Sequence, residues 1–387
     1  MRHAAGLERS AVRPSHPTFE WASPVRGVRK RRPAYRHAMP CITMPAVRYA
    51  PHWVSTDELA AAYREHHPRH PRLATWIRMV RSAGVEQRPW LRPPASTGAA
   101  DGVGPRSRAA YAAARDLAVT AAADALASAG LGADDIDAVV TSHTSSYTVP
   151  GLEVDLIRRL GLRPDVSRIG LATAACAGGA HAIAQAARIA RDRSDAAVLV
   201  VVSEALSTLF HPSGELSLQQ VLYSGLFGDS AGAAVVTGEA TPTDGRRVPV
   251  GEAWEYLLPD SEDAYWGVID QPGIRFDSGA RSRSAPAQVG PALTDWLGRG
   301  PAPRWAVVHP GGPGIITTTL EAIGVGPEQG HHARASLAEA GNLGGVAVLD
   351  VLARTLAAPV PPAGPGLLVA HGPGFTTTAL RLGGVRV

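Results

Sequence analysis

Three residues on separate loops have the chemistry to handle a thioester. Cys176, in LATAACAGGAHAI (171–183), stands between a strand-like stretch and the glycine-rich start of a helix. At such a junction the helix N-terminus favours the thiolate, the nucleophilic form, and small Ala and Gly neighbours let a substrate approach. A small cysteine packed beside glycines explains the same local sequence equally well. His309 ends WAVVHP (305–310) and is followed by GGPG. An imidazole there can act as a base or donate to an oxyanion, or it can be a buried or capping histidine. Asn342, in EAGNLGG, sits where a helix begins, a place where Asn is a common cap. Singly, each residue has a plain structural explanation. Together, a Cys, a His and an Asn on glycine-flanked strand-end loops suit thioester chemistry.

The elements that must position them alternate between strand and helix. DAVVTSHT (137–144) reads as a strand, GLEVDLIRRLGL (151–162) as a helix, SRIGLATA (167–174) as a strand and GGAHAIAQAARIARD (178–192) as an Ala-rich helix. AAVLVVVSEAL (196–206) and GAAVVTGE (232–239) read as strands. A second half repeats the theme, with WAVVHP as a strand, ITTTLEAIG (316–324) and LGGVAVLDVLART (343–355) as helices, and GLLVAHG (366–372) with TTTALRLGGVRV (376–387) as a closing hairpin. Apolar, β-branched strands of this kind are covered on both faces. The expected fold is therefore α/β, with two pseudo-duplicated halves. The stretch 241–303 reads as a connection between halves, and 91–108 as a mobile excursion.

Composition bounds the function. The 387 residues contain two cysteines, Cys41 and Cys176, too few for a disulfide framework or a cysteine-rich metal site. No metal is expected, since the histidines at 66, 67, 70, 331 and 332 are adjacent or loop-borne. Residues 1–38 hold nine basic and two acidic residues, hence +7 of a total of +4, which leaves −3 for the body. The body is thus not a basic nucleic-acid binder. The tail reads as a basic, disordered extension or an upstream start assignment; RKRR (29–32) as a nucleic-acid or membrane patch is the alternative. No apolar run is long enough to span a bilayer, and a reduced cytoplasmic setting suits the cysteines.

AACAGGA, SEALSTLF, GLFGDSAGAAVV, VVHPGGPG, AEAGNLGG and AHGPGFT, in this order and spacing, resemble the thiolase-fold condensing enzymes. HPGGPG, GLFGD and GPGFT resemble the type III polyketide synthases, the chalcone and stilbene synthase family with its bacterial relatives. The likeness runs from about Met39 to Val387.

The resemblance implies a five-layer αβαβα sandwich, with residues 39–240 carrying the nucleophile and 241–387 carrying His and Asn. It implies that Cys176 accepts a starter from an acyl-CoA. His309 and Asn342 would then stabilise the thioester carbonyl and promote decarboxylation of malonyl-CoA, and a Cys thiolate–imidazolium pair would be the resting nucleophile. Phe227 and Phe276 match aromatic gatekeepers between a CoA tunnel and the cavity. Thr144, Ser145 and Val149 match cavity or dimer-edge positions, with Val149 reaching a partner's cavity in a homodimer. Leu206, Leu209 and Gly344 match pocket-shaping positions, and Asp229 is expected to hold the Phe227 loop. Arg78, Arg81 and Arg88 are the candidates for CoA phosphates; the alternative for each is a solvated helix face. CoA thioesters enter as substrates, with no resident cofactor, no nucleic acid and no membrane.

The sequence also departs from the family. CAGGA lacks one residue between Cys and Gly-Gly, as in initiating ketoacyl-ACP synthases, and Ser230, Gly344, Gly345 and His371 replace usual residues. An initiating synthase acting once on a carrier protein, or a non-catalytic partner subunit, are the competing readings. HPGGPG argues against the first, and the retained Cys, His and Asn argue against the second.

Overall fold

A computed structural model describes residues 39–97, 102–212, 216–270 and 273–386; the expectations for the basic tail, 1–38, lie outside them. The chain begins with β1 (Cys41–Thr43), β2 (Ala46–Tyr49), β3 (His52–Ser55), α1 (Thr56–His66), α2 (Leu73–Ser82), β4 (Gln87–Trp90), α3 (Pro94–Thr97) and α4 (Val103–Ser128). Next come β5 (Ala138–Ser142), α5 (Leu152–Leu160), β6 (Ser167–Leu171), α6 (Gly178–Asp192), β7 (Ala197–Glu204), α7 (Leu218–Leu226) and β8 (Ser230–Thr237). The second half runs β9 (Arg247–Leu257), β10 (Trp266–Asp270), β11 (Gly273–Asp277), α8 (Ala285–Leu297), β12 (Trp305–Val308), α9 (Pro313–Ile323), α10 (His331–Ala340), α11 (Ala347–Ala357), β13 (Gly366–Gly372) and β14 (Thr376–Leu382).

Among the described residues, the main strands hydrogen-bond in the order β12-β13-β14-β9-β1-β8-β7-β5-β6, with β2 also on β8. In the first half β5 runs parallel to β7, which is antiparallel to β8, itself antiparallel to β1. The second half repeats this sequence of pairings: β12 parallel to β13, then β14 and β9, each antiparallel to its neighbour. The β1–β9 ladder joins the halves. The duplication seen in element order is thus a duplication of pairing.

Strand β7 shows why the layers stack. All eight of its residues are buried. Val198, Val200 and Val202 face one apolar cluster and Ala197, Leu199 and Val201 face another, the period-2 division of a strand covered on both sides. Helices α4 and α5 cover the outer side. On the inner side lie α6 and α11, which touch strands of both halves, while α8, α9 and α10 cover the far side. This is the expected five-layer order. One core runs through both halves, and His37–Val387 forms a single compact unit.

Two stretches differ from expectation. Residues 241–303 are not a mere connection, because β9 is an 11-residue strand in the middle of the sheet and α8 packs Trp296 against Trp254 of β9 at 5.8 Å. Pro249 and Gly251 mask β9 in the sequence. The described residues of 91–108 hold α3 and the start of α4, where Arg106 donates to the carbonyls of Thr97, Thr208 and Phe210. The 26-residue α4 itself escaped sequence reading, for alanines lie all round it and leave little contrast between its faces.

The starts of α6 and α11 approach each other closely. A Cβ on Gly179 would lie 2.1 Å from the Gly345 carbonyl oxygen and 2.7 Å from Val348, and one on Gly345 would lie 2.8 Å from the Ala175 oxygen. Only glycine lets these backbones meet. Gly179→Ala is therefore expected to lower stability by about 1–3 kcal/mol through overpacking, read as a lower thermal midpoint.

Candidate active site

Cys176 lies in a 3₁₀ turn, Ala175–Ala177, that runs directly into α6. The turn is entered through Ala175 at φ 42°, a conformation L-residues rarely adopt, and the Ala175 N–H donates to Thr144 Oγ1 at 3.1 Å. Asn342 lies before the matching turn, Gly344–Val346, that runs into α11. The nucleophile and the amide are thus both held at the N-terminal approaches of the two central helices. His309 extends β12, its N–H bonded to the Val369 carbonyl at 2.9 Å.

Asn342 is fixed from three directions. Its N–H donates to the Leu226 carbonyl at 2.7 Å, its own carbonyl accepts from Gly228 N–H at 3.1 Å, and Gly344 N–H donates to its Oδ1 at 2.9 Å. His309 Nε2 lies 3.2 Å from the same Oδ1. A carbonyl oxygen can only accept, so Nε2 carries the proton, and the Asn342 NH₂ is left free to donate. The capping role and the catalytic role coexist in one side chain.

The Leu226–Gly228 loop is held in turn by β4. Trp90 Nε1 donates to the Phe227 carbonyl at 3.0 Å, and Arg88 donates to the carbonyls of Gly225 at 2.7 Å and Val54 at 3.1 Å. Asp229, fully buried, accepts from the N–H groups of Leu91 at 2.8 Å and Ser207 at 2.6 Å, the loop-holding role expected of it. Its carboxyl is pushed up to about 6 by burial.

Cys176, His309 and Asn342 open onto one cavity of about 370 Å³, shared with Phe227, Tyr223 and Tyr265. Rings crowd the sulfur. Tyr223 stacks on Phe227 at 5.5 Å, Phe276 faces Phe227 at 6.1 Å, and Tyr265 stacks on Phe276 at 5.5 Å. Phe276 has room for its ring because its cross-strand neighbour is Gly267, where a Cβ would lie 2.6 Å from it. Leu206 and Leu209 pack in the same apolar cluster as Cys176, Phe227 and Phe276. Leu206 fills the space that a side chain at Gly344 would enter, 3.1 Å from such a Cβ, and Gly344 at φ 59° suits glycine.

Electrostatics run against the expected ion pair. Burial, reinforced by the nearby Glu204 carboxylate, pushes the Cys176 thiol up to about 12, and burial pulls the His309 imidazole down to about 4. The helix-terminus field, worth about 0.3–2 kcal/mol, does not offset that desolvation. Burial thus disfavours the charged form of each group. Glu204, at the end of β7, accepts from Thr144 N–H at 3.2 Å and Ser145 N–H at 3.0 Å, and Ser145 Oγ accepts from Ala205 N–H at 2.7 Å. Thr144 and Ser145 therefore brace the floor of the site and are not among the residues lining the 370 Å³ cavity.

The arginines need correction. Arg88 is not on a helix face; it is fully buried in β4, so it cannot offer its guanidinium to a CoA phosphate. Arg78 and Arg81 are exposed on α2, with Arg81 paired to Asp57. Val149 is 81% exposed, and Tyr147 beside it 69%. Sequence reading missed Tyr223, Tyr265 and Glu204, whose nearness to Cys176 arises from distant segments. His371 is buried between Thr319 Oγ1 at 3.1 Å and Thr377 Oγ1 at 2.9 Å, and lines the cavity beside His309. No group of His, Cys, Asp and Glu among the described residues could hold a metal, and no described helix is long and apolar enough to cross a membrane.

Glu204 makes a checkable prediction about pH. Burial pushes its carboxyl from an ordinary value near 4.5 to about 7, so the folded state keeps this proton longer than the unfolded chain. Its contribution to stability is full below the ordinary value and is lost as pH rises through 7. Glu204→Gln cannot ionise. Its thermal midpoint relative to the unsubstituted protein is expected to rise between about pH 4.5 and pH 8; a difference that stays flat or falls contradicts the assignment.

Comparison with known proteins agrees with this geometry. Residues 90–240 match the N-terminal domain of chalcone and stilbene synthases. A 1,3,6,8-tetrahydroxynaphthalene synthase from Streptomyces griseus is 28% identical over 343 residues, 87% of this chain and 91% of the relative. Bisdemethoxycurcumin synthase from Oryza sativa subsp. japonica is 31% identical over 284 residues, covering 69% of this chain and 70% of the relative. Among solved structures, germicidin synthase from Streptomyces coelicolor, a type III polyketide synthase, superposes with a TM-score of 0.82 at 30% identity, over 89% of this chain and 99% of that one. The 1,3,6,8-tetrahydroxynaphthalene synthase of Streptomyces coelicolor A3(2) gives a TM-score of 0.83 at 28% identity, with the same coverage. These findings support the polyketide synthase reading over the carrier-dependent one. The chain belongs to the type III polyketide synthases, acyltransferases of the condensing type.

Proposed function

We propose that this synthase loads an acyl group from an acyl-CoA starter onto Cys176 and extends it with units from malonyl-CoA. The observation that carries the reading is the single cavity onto which Cys176, His309 and the free amide of Asn342 all open. In the loading step the Cys176 sulfur attacks the thioester carbonyl while its proton passes to Nδ1 of His309, the ring nitrogen that carries no proton at rest. The His309 and Asn342 N–H groups stabilise the oxyanion, and CoA leaves as the thiol, taking the proton back.

Malonyl-CoA then loses carbon dioxide, and the electron pair of the broken C–C bond forms an enolate. Neutral donors steady its oxygen without protonating its carbon. The enolate carbon attacks the acyl carbonyl, the Cys176 thiolate leaves and takes up a proton from solvent, and the chain returns to CoA two carbons longer. The aromatic rings and leucines around the sulfur favour an apolar starter. We further infer that the enzyme works without a resident cofactor, in the cytoplasm and as a homodimer. Exposed Val149 and Tyr147 would meet the second copy.

Purified protein given malonyl-CoA and a panel of acyl-CoA starters should yield ketide products by liquid chromatography with mass detection. Cys176→Ala should abolish them; undiminished product would refute nucleophilic catalysis at this residue. Asn342→Ala, which removes an oxyanion donor and leaves the thiol in place, should lower kcat by about 10²–10³.

A further inference from the structure

Loading and extension as described use His309 and Asn342 and leave one polar group beside the sulfur without a task. Tyr265 stands just before β10 and lines the cavity with Cys176. Its hydroxyl is buried, on the cavity and in the apolar cluster that hold Cys176, and has no hydrogen-bond partner among the described groups. A buried O–H without an acceptor is costly, so its retention at this spot calls for an explanation.

The hydroxyl is also firmly aimed. The ring stacks on Phe276 at 5.5 Å and tilts against Tyr223 at 5.8 Å. Its backbone carbonyl accepts from Gly374 N–H at 2.7 Å, in the Pro373–Phe375 turn whose Gly374 carbonyl is bound by Ser261 Oγ at 2.8 Å. His309 does not supply this contact at rest, because its Nε2–H is directed to Asn342 Oδ1.

We propose that Tyr265 is a catalytic residue, whose hydroxyl donates a hydrogen bond to Cys176 Sγ as negative charge develops on it. The proposal rests on the reading of Cys176 as the acyl carrier. A thiol sulfur is a weak acceptor and a thiolate a strong one, so this bond strengthens only as the proton leaves, and again when the enolate displaces the thiolate. An interaction made mainly with the charged sulfur accelerates the step instead of merely binding the ground state. The titratable and charged groups around the sulfur and its cavity are Glu204 from β7, His309 from the end of β12, Tyr223 from α7, His371 from β13, Arg283 just before α8 and Tyr265 itself. Glu204 opposes thiolate formation and Tyr265 favours it. In a site with a buried carboxylate so near, a second donor beside Asn342 answers a specific need.

The test is Tyr265→Phe, which keeps the ring and removes the hydroxyl. Alkylation of Cys176 by iodoacetamide, mapped by peptide mass so that Cys41 does not interfere, is followed between about pH 7 and 9, where the rate is proportional to the thiolate fraction. The expected result is a rate about tenfold lower across this range, the equivalent of one hydrogen bond to a charged group, with an unchanged thermal midpoint. Acylation of Cys176 by a short acyl-CoA in a single turnover should slow to a similar extent. Equal alkylation and acylation rates in the two proteins would overturn the role of the hydroxyl while leaving Cys176 as the carrier. If the unsubstituted protein forms no acyl adduct on Cys176 at all, both this proposal and the reading it rests on fall.

Discussion

The close approach of α6 and α11 governs the rest of the structure. The two helices belong to different halves of the chain; the turn that starts α6 carries Cys176, and Asn342 stands just before the turn that starts α11. Where Gly179 meets Gly345 the backbones are too near for any Cβ, and this contact sets Cys176 and Asn342 beside one another. Everything else in the site is referred to that contact. The Leu226–Gly228 loop is tied to Asn342 by two backbone hydrogen bonds, and β4 ties the same loop through Trp90 and Arg88. A shift between the halves would therefore move nucleophile, amide and the Phe227 ring together.

Burial is the second determinant, and it prevails over the more familiar effect of the helix terminus. A thiol at the start of a helix is usually expected to ionise readily. Here the sulfur is enclosed by aromatic rings and leucines with a buried carboxyl group nearby, and both raise its pKa. The same enclosure keeps His309 neutral. Neutral donors are what a decarboxylation route needs, since an imidazolium would protonate the carbanion it should preserve. The structure thus trades a ready nucleophile for an environment suited to the later step, and the thioester must bring out the reactivity of the sulfur as it binds.

How much of this was legible in the sequence depended on whether the signal was local. The buried strands β5, β7 and β8 announced themselves as runs of Val, Ala and Thr, and Cys176, His309 and Asn342 stood out through their glycine-rich neighbours. Helix α4 and strand β9 did not. In α4, alanine on every face removes the periodic contrast; in β9, Pro249, Gly251 and the charged Arg247, Glu252 and Glu255 resemble a loop. Arg88 was misplaced because a guanidinium is normally a surface group, whereas here three carbonyl and hydroxyl acceptors, Val54, Gly225 and Thr56, compensate for its burial. Tyr223, Tyr265 and Glu204 come to the sulfur from α7, the approach to β10 and the end of β7, and no local pattern marks such a convergence.

The central claim is that Cys176 carries the acyl chain in a site completed by the second half of the protein. Intact-protein and peptide mass measurements on the full chain, after incubation with an acyl-CoA and then a chase with malonyl-CoA, test it most directly. The account predicts one acyl group per chain, located on Cys176 and discharged by malonyl-CoA. An acyl group on another residue, or one on Cys176 that malonyl-CoA leaves in place, would contradict it.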